Sequence, residues 1–238
     1  MSKKDLNQNT KYTQKIIESL EYEFSFNDQP INRFKISTKN YNNNEDKYQK
    51  LSDLKQKINS IEDCKLKSNS KKLIMGDGNF NSLIMIIGEA PGAEEEISGL
   101  PFEGENGDLL KKMFIAINVK FENLYKTYAI NFRPPEDRKP SSLEIKRYSN
   151  FLKEHISIIN PKIIILMGAT AMEAITGINT RISNERGRWQ EIILKNKTYP
   201  LMITYSPSYL IRFPENKKYS WVDLKKIKQK IEDLNLKI

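Results

Sequence analysis

One cysteine and one histidine in 238 residues leave little room for metal or disulfide chemistry. Cys64 by itself excludes an intrachain disulfide framework and a cysteine-ligated cluster, and with His155 alone a zinc-finger spacing cannot be written. No run approaches the roughly 18 apolar residues that a membrane span needs. The opening MSKKDLNQNT is polar where a secretory leader would be apolar. A GxGxxG nucleotide fingerprint is also missing, since GDGN (Gly76–Asn79) precedes an apolar run where a phosphate loop would follow one. We read a soluble monomer of a reducing, cytoplasmic compartment, with no membrane association.

What is present is core material and positive charge. The chain is 38% hydrophobic and 10% aromatic, enough for a packed interior and too much for wholesale disorder. Lys and Arg number 39 against 30 Asp and Glu, a net of +9. Residues 1–72 carry 15 basic and 10 acidic side chains, residues 73–185 carry 12 and 15, and residues 186–238 carry 12 and 5. A basic periphery around an acidic centre suits a polyanion laid over a site that has its own carboxylates. A Lys- and Asn-rich composition alone would give the same totals.

Two textures divide the chain. Residues 1–60 read as a helical, Asn-rich extension, with NYNNN (Asn40–Asn44) between helical patterns at Thr13–Glu23 and Asp46–Ile61. Leu51, Leu54, Ile58 and Ile61 recur at helical spacing, so the second helix is expected to pack on the body. Residues 61–238 form the second domain, where apolar runs alternate with amphipathic segments. Ser82–Ile87, Tyr125–Ile130, Lys162–Met167 and Tyr199–Tyr205 read as strands. Helices are predicted from Asp108, from a capping box at Ser141–Glu144 to about Ile159, after Gly168, and over Tyr219–Leu234. This is an α/β pattern, a mainly parallel four-stranded sheet covered on both faces. Ligands of such sheets bind beyond the carboxyl ends of the strands. Three loops lie there: 88–107, 131–140 and 206–214.

The first loop is the richest. Glu89 follows a strand directly and projects from a rigid base, and Ala90-Pro91-Gly92 bares backbone N–H groups. Phe102 sits among Gly99, Gly104 and Gly107, either as a ligand platform or as a loop anchor on the core. Glu94–Glu96 favour a helix start through the macrodipole. In the third loop Ser206 ends a strand, and Leu210 and Ile211 beside Arg212 fit a wedge-and-phosphate arrangement for opening a duplex. Ordinary turn chemistry with Leu210 in the core is the other reading. His155, inside FLKEHISII, reads as structural.

Six motifs, GEAPGAEEE, GLPFEGENGDLL, RPPEDRKPS, ILMGATA, RGRW and YSPSYLIR, follow one another over about residues 64–224. In order and spacing they resemble the family-4 uracil-DNA glycosylases. The resemblance implies a three-layer α/β/α sandwich and an enzyme that flips a nucleotide out of DNA and hydrolyses its N-glycosidic bond. It implies that Phe102 stacks on the base and that Glu89 orients or activates the water attacking C1′. By the same resemblance Glu95 lies near the pyrimidine 5-position, and the backbone of Gly88–Ala90 holds the base. The 206–212 loop would enter DNA with Tyr209 and Leu210, with Ser208 and Arg212 near phosphates. No metal takes part in such a reaction.

The departures matter as much. The family carries four cysteines for an iron–sulfur cluster, and the aligned positions here are Ile61, Cys64, Phe132 and Tyr148. A hydrophobic mini-core in place of a cluster is expected, and no cofactor. The family's uracil-reading asparagine aligns with Tyr128 and its histidine with Ser206. A tyrosine lacks an amide's paired donor and acceptor, and a serine hydroxyl is shorter than imidazole. Asn131 lies three residues on, with the opposite strand parity unless a bulge intervenes. Gly92 leaves no aromatic barrier. Three readings follow: a glycosylase re-cut for a bulky 5-substituted pyrimidine, serving defence against modified phage DNA; a clusterless uracil repair enzyme; or a non-catalytic DNA-binding module.

Overall fold

The computed structural model describes residues 43–238, so the helix expected at Thr13–Glu23 lies outside the described residues. The chain enters through α1 (Asn43–Asn59) and α2 (Lys65–Asn69), then β1 (Asp77–Gly78), β2 (Ile84–Gly88), α3 (Ala93–Ser98) and α4 (Gly104–Ile115). It continues through β3 (Leu124–Tyr128), α5 (Ser142–Ile159), β4 (Ile163–Met167), α6 (Ala169–Thr176) and α7 (Ile182–Glu185). It closes with β5 (Trp189–Leu194), β6 (Lys197–Thr204), α8 (Pro207–Arg212) and α9 (Lys217–Asp233).

The sheet runs β1-β3-β2-β4-β6-β5. The four expected strands are its parallel centre, in the order β3-β2-β4-β6. The sheet has six strands rather than four, because β1 and β5 pair antiparallel at its edges. Neither edge strand carries a buried apolar run: β1 is two residues long, and β5 is half-exposed along its length.

Period-2 alternation divides the core between two helical layers. Met85, Ile87, Ile164, Leu166, Leu201 and Ile203 face α1, α5 and α6. Ile84, Ile86, Ile163, Ile165, Met167 and Met202 face α4, α8 and α9. The result is a three-layer α/β/α sandwich. Helix α1 meets that core through Leu51, Leu54 and Ile58, as its spacing predicts. Helix α5 starts at the expected capping box: Ser141 Oγ accepts from the Glu144 N–H, and the Glu144 carboxylate accepts from the Ser141 N–H at 2.7 Å. Among the described residues, no helix is long and apolar enough to cross a membrane.

His155 is structural, as expected. Its Nε2 shares a 2.8 Å hydrogen bond with the Tyr125 hydroxyl inside the core, and burial pushes its pKa down to about 4. The native state holds the imidazole neutral, while the unfolded chain protonates it near pH 6.5. This contribution is therefore complete above about pH 6.5 and is lost as the pH falls toward 4. Between pH 7 and pH 5 the loss amounts to about 2 kcal/mol. Urea midpoints at the two pH values should fall accordingly, and His155→Gln should flatten the dependence.

Candidate active site

All three strand-end loops open onto one cavity of about 660 Å³, a size typical of small-molecule sites. Its floor is the end of β2. Glu89, one residue past the strand, accepts from the Thr170 backbone N–H at 3.1 Å with one carboxylate oxygen. The other oxygen accepts from Ser206 Oγ at 3.1 Å. With its hydrogen committed to Glu89, Ser206 can only accept from Ser208 Oγ, also 3.1 Å away. The carboxylate is therefore held between the first turn of α6 and the end of β6. Gly168 permits this: its φ is +102°, and a Cβ there would lie 2.3 Å from the Glu89 carboxyl carbon.

The aromatic wall is more specific than its motif implied. Phe102 and Tyr128 stack with centroids 4.8 Å apart and planes 25° off parallel. The Tyr128 hydroxyl accepts from the Phe102 N–H at 3.0 Å and donates to Glu95 at 2.8 Å. The second Glu95 oxygen accepts from the Gly92 N–H at 2.9 Å. Burial, and then the Glu95 charge, push the Tyr128 phenol well above its usual range, so it stays protonated and keeps donating. Phe102 holds a φ of +59°, a left-handed conformation that costs a β-carbon residue about 1–2 kcal/mol. The tyrosine bond and the ring stack hold it there. Gly88 lies beneath both rings, and a Cβ on it would come within 2.7 Å of Tyr128 and 2.8 Å of Phe102.

Of the expected site residues, Gly88, Glu89, Ala90, Gly92, Glu95 and Phe102 line the cavity. Tyr128, Ser206, Ser208 and Arg212 line it as well. Asn131 does not: its side chain donates to the Ile74 carbonyl at 2.9 Å, and its own carbonyl accepts from the Ile74 N–H. Strand β3 ends at Tyr128 without the bulge that would exchange the two.

The 206–212 segment needs correction. It is helix α8, not a loop, started by Pro207 at its first position. The turn of that helix points Leu210 inward, where it is 1% exposed in the layer shared with α4 and α9. Leu210 is therefore a core residue and not an exposed wedge. Ile211, one position on, lines the cavity in its place. Tyr209 stacks between Tyr205 and Phe213 outside the cavity wall.

Other wall groups lie inside the six motifs, though the sequence by itself gives them no role. The Thr170 amide belongs to ILMGATA, whose small residues after a strand are the only sequence signal for it. Asn106, on α4, presents a buried Oδ1 with no hydrogen-bond partner. Asp137, Arg138 and Lys139 come from the second loop. That loop is braced by Arg133, which forks onto Asp137 at 2.7 and 2.9 Å and reaches Glu96 at 3.2 Å. The wall thus carries the carboxylates of Glu89, Glu94, Glu95, Glu105 and Asp137 against the cations of Arg138, Lys139 and Arg212. The carboxylate-rich centre anticipated from the charge distribution is this wall.

At the positions aligned with cluster cysteines, one thiol beside Ile61, Phe132 and Tyr148 does not fit an iron–sulfur group, which takes four thiolate or imidazole ligands. Cys64 Sγ and the Tyr148 hydroxyl are 3.2 Å apart, and Phe132 packs edge-on to Tyr148 with centroids 6.4 Å apart. Cys64, Phe132 and Tyr148 are thus buried together with one internal hydrogen bond, and Ile61 packs half-buried against the same core.

Comparison with known proteins agrees with this geometry. The profile of the uracil DNA glycosylase superfamily matches residues 75–228. A type-4 uracil-DNA glycosylase of Archaeoglobus fulgidus is 30% identical over 181 residues, covering 74% of this chain and 91% of its own. That of Thermotoga maritima is 33% identical over 162 residues, covering 68% and 83%. That of Sulfurisphaera tokodaii is 33% identical over 184 residues, covering 75% and 84%. With the profile spanning more than half of the sequence and the motifs gathered on one cavity, the chain belongs to the uracil DNA glycosylase superfamily, as a relative of its type-4 enzymes.

Proposed function

We propose that this protein is a DNA glycosylase that draws a flipped pyrimidine nucleotide into the cavity and hydrolyses its N-glycosidic bond. Water adds its oxygen to C1′, the C1′–N1 bond breaks, and the electron pair leaves with the base. The water proton passes to Glu89 and from it, by way of solvent, to the departing pyrimidine anion, so the products are a free base and an abasic site with Glu89 again a carboxylate. The sugar becomes oxocarbenium-like as the bond opens, so a carboxylate at the cavity floor stabilises it as well as orienting the water. Of the backbone N–H groups along 88–92, Pro91 has none and that of Gly92 is taken by Glu95, which leaves those of Glu89 and Ala90 to face the departing base.

We assign the substrate as a pyrimidine with a bulky 5-substituent, such as a glucosylated hydroxymethylcytosine of phage DNA. One observation carries this reading: the Tyr128 ring covers Phe102, and its hydroxyl is committed to Glu95 and to the Phe102 amide. A committed phenol cannot read the edge of uracil as an amide does. Ser206 is likewise turned to Glu89 and away from a base carbonyl. Gly92, Asn106 and the second loop also line the cavity, and their polar groups suit a hydroxylated substituent. The physiological role consistent with such a substrate is defence against modified phage genomes. Uracil is the competing substrate, favoured by the names of the type-4 relatives.

Matched duplexes carrying uracil, hydroxymethylcytosine, glucosylated hydroxymethylcytosine or plain cytosine test the assignment, with alkali revealing abasic sites. Cleavage at a modified cytosine alone is the expected result. Cleavage at uracil alone would make this a clusterless uracil glycosylase. Binding without any cleavage would leave a DNA-binding module.

A further inference from the structure

An aromatic column leaves the active-site end of the sheet and reaches the surface. Tyr205, Tyr209 and Phe213 lie four residues apart. Tyr205 and Tyr209 stack at 4.7 Å with planes 21° apart, and Tyr209 and Phe213 follow at 5.0 Å and 42°. Tyr205 is buried at 6% exposure, whereas Phe213 is 44% exposed, so the last ring of the column faces solvent. Tyr219 and Trp221, at the start of α9, are 44% and 43% exposed.

The column is rigid. The Arg186 guanidinium lies 5.4 Å from the ring centroids of both Tyr205 and Tyr219. Arg186 is itself bonded to Asp223, a fully buried carboxylate that also accepts from Thr204 Oγ1 at 2.8 Å. Asn216 donates to the Tyr209 hydroxyl at 3.2 Å. The RGRW motif thereby acquires a structural role, since its Arg186 anchors the first turn of α9 beside the column.

The surroundings are cationic. Lys217 and Lys218 are exposed beside Phe213, and with Arg212 they make no ion pair among the described residues. Arg212, adjacent to Phe213 on the chain, lines the cavity. Lys218 Nζ lies 5.1 Å from the Tyr219 ring centroid, so a cation already sits on that ring, while the solvent-facing ring of Phe213 carries none. An exposed ring on such a support, with lysines that make no ion pair among the described residues and Arg212 at the cavity wall, is the combination that binds single-stranded nucleic acid. Bases stack on the rings and the cations track the phosphates.

We propose that Phe213, with Tyr219, Lys217 and Lys218, forms a platform on which an unpaired base of the DNA strand stacks beside the flipped nucleotide. The protein therefore prefers single-stranded or locally opened DNA to closed duplex. This rests on the reading of DNA as the ligand, but not on which base is excised or on whether excision occurs.

Fluorescence anisotropy with a labelled oligothymidine and with a closed duplex of equal length tests it on the full chain. Phe213→Ala should weaken oligothymidine binding by about tenfold or more, leave duplex binding and thermal stability nearly unchanged, and be rescued by Phe213→Trp. Replacing Lys217 and Lys218 with glutamine should flatten the salt dependence of single-strand binding by about 0.7 in log–log slope per charge removed. Equal loss for both DNA forms, or no loss for either, overturns the platform while leaving DNA binding intact. No binding of either form by the unaltered protein overturns the DNA reading and the platform with it.

Discussion

Replacing Tyr128 with asparagine should raise uracil excision by about 10²–10³-fold, the scale of one well-placed donor to a reacting group. The reason is geometric. The phenol ring covers Phe102 at 4.8 Å, and both hydrogen-bonding capacities of its hydroxyl are used inside the protein. An asparagine at the end of β3 uncovers the phenyl face, frees one oxygen of Glu95 and offers a donor and an acceptor side by side. Removing a stacked aromatic costs stability, on the order of 3–5 kcal/mol for a buried ring, so the assay belongs well below the melting temperature of the variant. Tyr128→Phe separates the two effects. It keeps the ring, leaves the Phe102 amide and Glu95 without their partner at a cost of about 1–3 kcal/mol, and should create no uracil activity. Single-turnover rates on a uracil duplex decide the matter. A folded Tyr128→Asn protein with no gain would show that this position does not control base choice.

The second large effect is expected at Glu89. Glu89→Gln should lower base release by about 10²–10⁴-fold while DNA affinity stays within about twofold. The amide preserves the shape of the carboxylate, and its oxygen can still accept from the Thr170 N–H. It loses the charge proposed to face C1′ and the capacity to take a proton. Its NH₂ group would also meet Ser206 Oγ, which now donates at 3.1 Å and would have to turn. Ser206→Ala should therefore cost less than Glu89→Gln, since the Thr170 amide still orients the carboxylate. Anisotropy for binding and alkali cleavage for chemistry, read on the same duplex, distinguish a catalytic carboxylate from one that only shapes the floor. Unchanged base release in Glu89→Gln would falsify the assignment of Glu89.

Much of the layout was legible in the sequence because it depends on local period. Five-residue apolar runs such as Ile84–Gly88 and Ile163–Met167 are fully buried, and a segment buried on both faces reads as a central strand with no knowledge of its neighbours. Glu89 was identifiable for the same reason, since the residue after such a strand stands at the ligand end of the sheet. The grouping of Cys64, Phe132 and Tyr148 was visible only through the resemblance, which aligns them and Ile61 with the family's cluster cysteines. The edge strands were not, since a two-residue strand and a half-exposed one carry no period to detect.

Tertiary structure alone decided what the cavity can recognise. Ser206 and Glu89 are 117 residues apart in sequence and Tyr128 and Glu95 are 33 apart, so no local pattern reports either bond. Whether Leu210 or Ile211 faces the cavity depended on the phase of a single helical turn, and packing against α4 and α9 set that phase. The sequence determined which strand ends carry the cavity and that Glu89 stands directly after one of them. Only the packing of Tyr128 on Phe102 decided how that pocket is closed, because ring stacking and hydroxyl direction follow from which neighbours surround a side chain and not from its place in the chain.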